Sequence, residues 1–342
     1  MKKTVFLAYI ALFICFLLPM VRPDKPEGET PLPRETSPAP SGSLSQTGGA
    51  PPKPPADTGA QTAALPAPET IRVLLKDGAV QELDMQAYLT GVVAAEMPAS
   101  FEPEALKAQA VAARSYAMYC AGANKHGDAD VCTDFRCCQA WQSEDEQREK
   151  WGENYAFYAE KIRSAAAETE GEYLSYEGRA VFAAFHASSA GATEASGEIW
   201  SPVPYLISVS SPETAQTVPN YISTLDCAAL DFRDVVLSAY PEADFTGEES
   251  RWIGPIIRDE SGRVKTVELG GVSIPGTELR SLFTLRSTAF ELVYSAGRFL
   301  FTVTGNGHGV GMSQYGAQTM AAQGADYVEI LAHYYPGTEL VA

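Results

Sequence analysis

Basic side chains are scarce. Only 25 Lys and Arg stand against 43 Asp and Glu, for a formal net charge of −18. No face of such a chain gathers the cations needed to displace the counterions around a phosphate backbone, which excludes nucleic acid as a partner. Electrostatic adsorption to an anionic membrane is excluded with it. No phosphate-loop lysine follows the glycine-rich stretch GNGHGVGMSQYG, which argues against a nucleotide site. Large apolar side chains are nearly absent from residues 22–69, where Pro, Gly, Ser, Thr, Ala and Glu dominate. Such a segment cannot offset the entropy of ordering and is expected to be a loose, disordered tether.

Apolar content is ample elsewhere. With 342 residues, 45% of them hydrophobic, the chain can bury a large core. Residues 4–21, TVFLAYIALFICFLLPMV, form an unbroken apolar run behind Lys2 and Lys3, close to the minimum for a bilayer-spanning helix. The run lacks a small-x-small cleavage site, so residues 1–21 are expected to be an uncleaved transmembrane anchor. That places the protein at the cell membrane, single-pass, with the folded part outside the cytoplasm. The tether, residues 22–69, spans on the order of 150 Å when extended.

The folded part, residues 70–342, opens with IRVLLKDGAVQELD, whose alternation around Lys-Asp-Gly predicts a hairpin. MQAYLTGVVAAE then has helical periodicity and stops before Met97-Pro98, since the residue preceding proline avoids the α region. Glu96 thus falls on the last turn of an apolar helix, where the helix dipole and the neighbours Val92, Val93 and Ala95 disfavour its charged form. A raised pKa suits a general acid; a solvated surface glutamate fits the same pattern. A second helix is expected from Pro103, which suits a first helical position.

Downstream, HGDADVCTDFRCC carries His126, Cys132, Cys137 and Cys138. Four soft or borderline ligands match a closed tetrahedral zinc site, and four protein ligands leave no place for an activated water. A disulfide is the rival in an oxidising compartment, although the adjacent pair Cys137 and Cys138 makes it awkward. Cys120 and Cys227 read as buried thiols. Further on, GEYLSYEGRAVFAAFHA predicts a hairpin turning at Glu177-Gly178, whose second strand, AVFAAFHA, opens into the loop SSAGATEAS. Its small hydroxyl residues suit sugar hydroxyls, with Trp200 and Tyr205 available to stack on a ring face; a plain strand-ending loop fits equally. RVKTVELGGVSI and FELVYSAGRFLFTVTG read as strands around a short helix, GTELRSLFT. GNGHGVGMSQYGAQTMAAQG reads as a glycine-rich loop entering a helix at about Met312 and stopping at Gly324. Residues 228–262 carry no legible role.

YLTGVVAAEMPASFEPEALKAQAVAARSYA, FHASSAGATEASGEIW and GHGVGMSQYGAQTMA together resemble the stage II sporulation protein D family. The resemblance implies an α+β fold, with mixed helices and antiparallel strands around a glycan-binding cleft, and a membrane-anchored lytic transglycosylase acting on peptidoglycan during engulfment in endospore formers. It implies that Glu96 is the catalytic acid, and that Arg114, Ser188, Ser189 and Thr193 lie at positions where the family lines its cleft with polar groups. His308 and Gln314 belong to the last signature. HASSAG stands where the family often has HSTSGG, so Ala187 and Ala190 replace Ser and Gly. Clostridial members resemble this chain in a His and Cys zinc loop, in which Cys137 here replaces a histidine; the implied zinc is structural. Implied partners are glycan strands already stripped of peptide and the stage II sporulation proteins P, an amidase, and M. Related domains also occur in amidase enhancers, which bind glycan without cutting it.

A glycosidase ordinarily needs two carboxylates, and none but Glu96 stands out in its neighbourhood of the sequence. Glu102 and Glu104 read as first-turn charges of the next helix. A lytic transglycosylase needs only one, because the substrate's own C6 hydroxyl is the nucleophile. A zinc-dependent amidase built on His126 is disfavoured by the closed ligand set.

Overall fold

The computed structural model describes residues 66–342, all within one compact unit. The expected anchor and most of the tether lie outside the described residues. The fold is α+β, with helices and mostly antiparallel strands distributed around two hydrophobic cores.

The first core starts at the predicted hairpin. Strands β1 (Thr70–Leu74) and β2 (Val80–Asp84) pair antiparallel, and Gly78 takes the positive φ that the turn requires. Asp84 caps the next helix, α1 (Met85–Glu96), by accepting a hydrogen bond from the Ala87 N–H at 3.1 Å. Helix α1 ends where expected, with Met97 extended ahead of Pro98. Helix α2 (Pro103–Ala123) begins on its proline and stops at Asn124 in the left-handed conformation. Its alanine-rich face lets α1 and α4 approach closely, and Leu106, Val111 and Ala113 are fully buried.

Strand β3 (Val131–Cys132) adds to β1 in parallel. Helix α3 (Glu144–Trp151) is set by a capping box between Ser143 and Glu146, and α4 (Tyr155–Glu168) packs on α1 and α2. Strands β4 (Tyr173–Tyr176) and β5 (Arg179–Ala180) form the second predicted hairpin. The strand expected over AVFAAFHA is broken: Ala180 pairs as the end of β5, and pairing resumes only at β6 (Phe185–His186). The Ala183 and Ala184 N–H groups bond back to Val181 and Phe182, so local turns take the bonds a ladder would have used. A single turn of helix, α5 (Ser196–Ile199), follows.

Residues 222–304 build the second core, which the sequence did not separate from the first. Strand β7 (Ile222–Ala228), helix α6 (Ala229–Ala239), strands β8 (Ile253–Arg258), β9 (Val264–Leu269) and β10 (Val272–Pro275), helix α7 (Gly276–Leu282) and strands β11 (Phe290–Ser295) and β12 (Arg298–Thr304) form two antiparallel sheets, ordered β11-β12-β7 and β10-β9-β8. Between them Phe232 stacks on Phe299 with centroids 4.0 Å apart, and Trp252 lies parallel to Phe299. Truncating Phe299 to alanine would cost about 3–5 kcal/mol.

The chain then returns to the first core. Strand β13 (Met312–Ser313) pairs in parallel with β6. Helix α8 (Gln314–Ala322) starts two residues later than expected because the Ser313 side chain caps it, accepting from the Gly316 N–H. Helix α9 (Tyr327–Tyr334) and strand β14 (Glu339–Val341), paired with β4, close the fold.

Candidate active site

Glu96 sits at the end of α1 where three segments meet. Its Oε1 accepts a 2.7 Å hydrogen bond from the Ala140 N–H, and the Gln314 side chain at the start of α8 bonds the same carboxyl. The residue keeps partial solvent access, yet protein crowds the carboxyl group itself. Burial pushes it up to about 7, against the lowering pull of the two donors. The influences on Glu96 are burial and its two hydrogen-bond donors, and no neighbouring carboxylate is among them. With Oε1 held by Ala140, Oε2 is the oxygen left to carry a transferable proton.

Ala140 is positioned by the cysteine loop. His126 Nε2 lies 3.1 Å from Cys138 Sγ and 3.8 Å from Cys137 Sγ, and the ligand atoms of His126, Cys132, Cys137 and Cys138 all lie within 4.8 Å of one another. Four bonds of about 2.0–2.3 Å to one zinc ion span such a group. All five described cysteines are free, including Cys120 and Cys227. Cys120 on α2 hydrogen-bonds Cys138. The Cys137 carbonyl accepts from Lys125 Nζ at 2.7 Å and from Tyr116 Oη at 3.2 Å. Two residues beyond Cys138 the chain reaches Glu96, with Gln139 donating to the Tyr88 hydroxyl and the Ala113 carbonyl. The Gln142 N–H donates to the Gly91 carbonyl on α1. Gly91 is required there, because a Cβ would collide with the Trp141 indole and the Gln142 carbonyl.

The signature loop around His308 forms the other side. His308 packs against Trp200 with ring planes tilted by 55° and centroids 4.9 Å apart, and its Nδ1 accepts from the Val310 N–H at 3.1 Å. Burial and the neighbouring Arg280 hold its imidazole down to about 3, so it is neutral and both nitrogens serve the backbone. His186 is buried and its pKa is likewise lowered by burial. The Val310 carbonyl assigns the proton to His186 Nδ1, leaving Nε2 to accept from Ser189 Oγ at 2.7 Å.

Several sequence candidates face inward. Arg114 is buried and donates to the Glu172 carbonyl at 2.6 Å. Thr193 accepts from the Val209 N–H, Ser188 exchanges backbone bonds with Asn306, and the Tyr205 hydroxyl accepts from the Phe182 N–H. Their bonds are made within the protein; Gln314 alone among these polar candidates bonds Glu96. Gln314 also donates to Gln109 on α2 at 3.4 Å.

Two carboxylates escaped the sequence reading. Glu213 is buried, with Oε1 accepting from the Ser189 N–H and the Ser313 hydroxyl and Oε2 from the Ser211 hydroxyl. It ties the loop after β6 to the start of α8. Gly316 makes room for this knot, since a Cβ there would overlap Tyr334 and Ser211. Glu194 accepts from the Ala195 N–H and from Ser261 Oγ beside Arg263, bracing the first core against the second. Both oxygens of each group are engaged by the protein.

The chain is similar to known proteins over most of its length. A family described as Stage II sporulation protein matches residues 76–176. Stage II sporulation protein D of Bacillus amyloliquefaciens is 36% identical over 265 residues, covering 76% of this chain and 75% of that protein. Stage II sporulation protein D of Bacillus subtilis (strain 168) is 35% identical over 292 residues, covering 84% and 82%. The amidase enhancer of the same strain is 28% identical, covering 74% of this chain and 40% of that protein.

Proposed function

The chain belongs to the stage II sporulation protein D family, and on that premise we propose that it is a lytic transglycosylase that cleaves peptidoglycan between N-acetylmuramic acid and N-acetylglucosamine. The observation that carries this reading is Glu96: one carboxyl raised to about 7, with no second carboxylate acting on it. Protonated at Oε2, Glu96 gives its proton to the glycosidic oxygen as the bond to C1 of the muramic residue breaks. The resulting carboxylate then takes the proton of that residue's C6 hydroxyl as O6 closes on C1. The product carries a 1,6-anhydro ring, and Glu96 is restored to its starting state.

The donors around Glu96 serve both halves of this cycle. The Ala140 N–H and Gln314 stabilise the transient carboxylate, while burial keeps the resting group protonated near neutrality. A pKa near the working pH is the optimum for a group that must both give and accept a proton. We assign zinc to His126, Cys132, Cys137 and Cys138, where it would supply folding energy and hold the segment that delivers Ala140. Trp200, packed at a tilt against His308, would offer a ring face to a sugar.

Peptide-free glycan strands are the proposed substrate, with stage II sporulation proteins P and M as partners and the amino-terminal apolar segment as membrane anchor. The amidase enhancer relative supports a second reading, a glycan binder that stimulates a partner. Mass spectrometry of products from amidase-treated peptidoglycan separates the two. Wild-type protein should release 1,6-anhydro-N-acetylmuramic ends and Glu96→Gln should release none; binding without any product from either would favour the enhancer.

A further inference from the structure

Gln109 is a fully buried amide whose partner is another amide. It lies on α2 among Ala108, Ala110, Ala112 and Ala113, which are buried as completely. Its Oε1 accepts from Gln314 Nε2 at 3.4 Å, while its own Nε2 is buried without a partner. The Gln314 side chain also bonds the Glu96 carboxyl and favours its ionised form, so Gln314 is a donor there as well. Both N–H groups of the Gln314 amide are thereby engaged, one by Glu96 and one by Gln109.

An orphaned buried N–H is costly and rare. Gln139 has its orientation fixed, because the Ala113 carbonyl that it bonds can only accept. An amide partner imposes no such limit, since it offers a donor and an acceptor in turn. A half-turn of both amides about the last side-chain torsion exchanges each oxygen for its nitrogen. Gln314 Oε1 then accepts twice, from Gln109 Nε2 and from a protonated Glu96, and the group left over is a carbonyl oxygen, which a buried site tolerates better than an N–H. The observed orientation thus suits the Glu96 carboxylate, and the rotated one suits the acid. The backbone stays in place through this exchange, because the Ser313 hydroxyl donates to Glu213 and Gln318 Oε1 accepts from the Glu102 N–H, which pins α8.

We propose that Gln109 and Gln314 are a positioning relay for Glu96, two amides that hold the observed orientation while Glu96 is ionised and rotate together when it is protonated. The inference rests on the reading of Glu96 as the group that gives and takes the proton, and deepens it. No proton passes through the amides: the Glu96 proton goes to the glycosidic oxygen and is replaced from the C6 hydroxyl. The relay presents a donor to the carboxylate and an acceptor to the acid, whereas the Ala140 N–H can serve only as a donor. Lys150 on α3, which donates to the Ala94 carbonyl, is not among the influences on the carboxyl.

The test uses the full-length protein in detergent, with glutamate labelled by carbon-13 at Cδ and glutamine by nitrogen-15 at Nε2. NMR then reads the Glu96 carboxyl, identified by its absence from Glu96→Gln, and the Gln109 amide, identified by its absence from Gln109→Met. In wild-type protein the Gln109 amide should shift with the same midpoint as Glu96, and in Glu96→Gln it should stop following pH. A Gln109 amide that stays constant through that midpoint overturns the relay. Gln109→Met removes the acceptor of the second Gln314 N–H, which is left unpartnered when Glu96 ionises, so the Glu96 midpoint should rise by about one unit. Looser packing alone would admit water and lower it; a lowered or unchanged midpoint therefore also overturns the relay. Turnover of peptide-free glycan should fall about tenfold in that variant with glycan affinity unchanged, since Gln109 has no exposed surface to offer a sugar. A loss confined to affinity would remove the positioning role. If the amide follows Glu96 while no glycan is cut, the relay stands and the transglycosylase reading fails; if cleavage depends on Glu96 while the amide stays constant, the relay alone fails.

Discussion

Removing the charge of Glu96 should make the protein more stable while destroying its activity. A carboxyl raised from its ordinary 4.5 to about 7 binds its proton more tightly in the folded chain than in the unfolded one. Its favourable contribution to folding is therefore complete below about pH 4.5 and is lost as pH rises through about 7. At roughly 1.36 kcal/mol per pH unit, the loss by about pH 8 amounts to roughly 3 kcal/mol. Glu96→Gln keeps an oxygen for the Ala140 N–H and cannot ionise, so it escapes this loss. A domain of this size gains about 2–4 °C per kcal/mol, and the variant should melt roughly 6–12 °C above wild type at about pH 8. Near pH 4.5 the two should melt together. Thermal denaturation followed by circular dichroism across that range reads the difference directly. A Glu96→Gln difference that stays flat with pH, or grows toward acid, would refute the argument that burial holds this carboxyl up.

Wild-type cleavage should share that titration, declining as pH rises through about 7, and loss of Glu96 should cost roughly 10²- to 10⁴-fold in rate or more. Cys132→Ser, or prolonged chelation, should strip the metal, and a structural zinc contributes on the order of 10 kcal/mol to folding; unchanged metal content and melting temperature would exclude zinc there. Gly91→Ala should force the Trp141–Gln142 segment off α1 and displace Ala140 from Glu96, lowering turnover more than glycan affinity. Kinetics showing an unchanged turnover would remove Ala140 from the account. Glu213→Ala should leave the Ser189 N–H and the Ser211 and Ser313 hydroxyls without their acceptor, destabilising the fold by about 3 kcal/mol or more; denaturant titration measures it.

Local signals were read correctly where physics is local. The Asp84 cap, the Met97-Pro98 stop, the proline at the start of α2 and the Gly78 turn each depend on residues a few positions apart. So does the placement of Glu96 on the last turn of an apolar helix. The second core was not legible as a separate body, because its strands look like any others and only long-range stacking of Phe232, Trp252 and Phe299 sets it apart. The strand over AVFAAFHA failed for the complementary reason: apolar alternation signals burial, while the bonds of Ala183 and Ala184 turn inward. Within the site, the Ala140 donor is a backbone group with no residue-type signature. Glu213 is an acidic residue whose meaning appears only when three segments far apart in sequence converge on it.

The central claim is that one carboxyl and the substrate's own hydroxyl perform the cleavage. Digestion of peptide-free glycan strands in oxygen-18 water, followed by mass spectrometry of the new muramic ends, tests it most directly. The account predicts unlabelled 1,6-anhydro ends, lighter by one water than the hydrolysed form. Reducing ends carrying the heavy oxygen would contradict it and demand a second carboxylate that activates water.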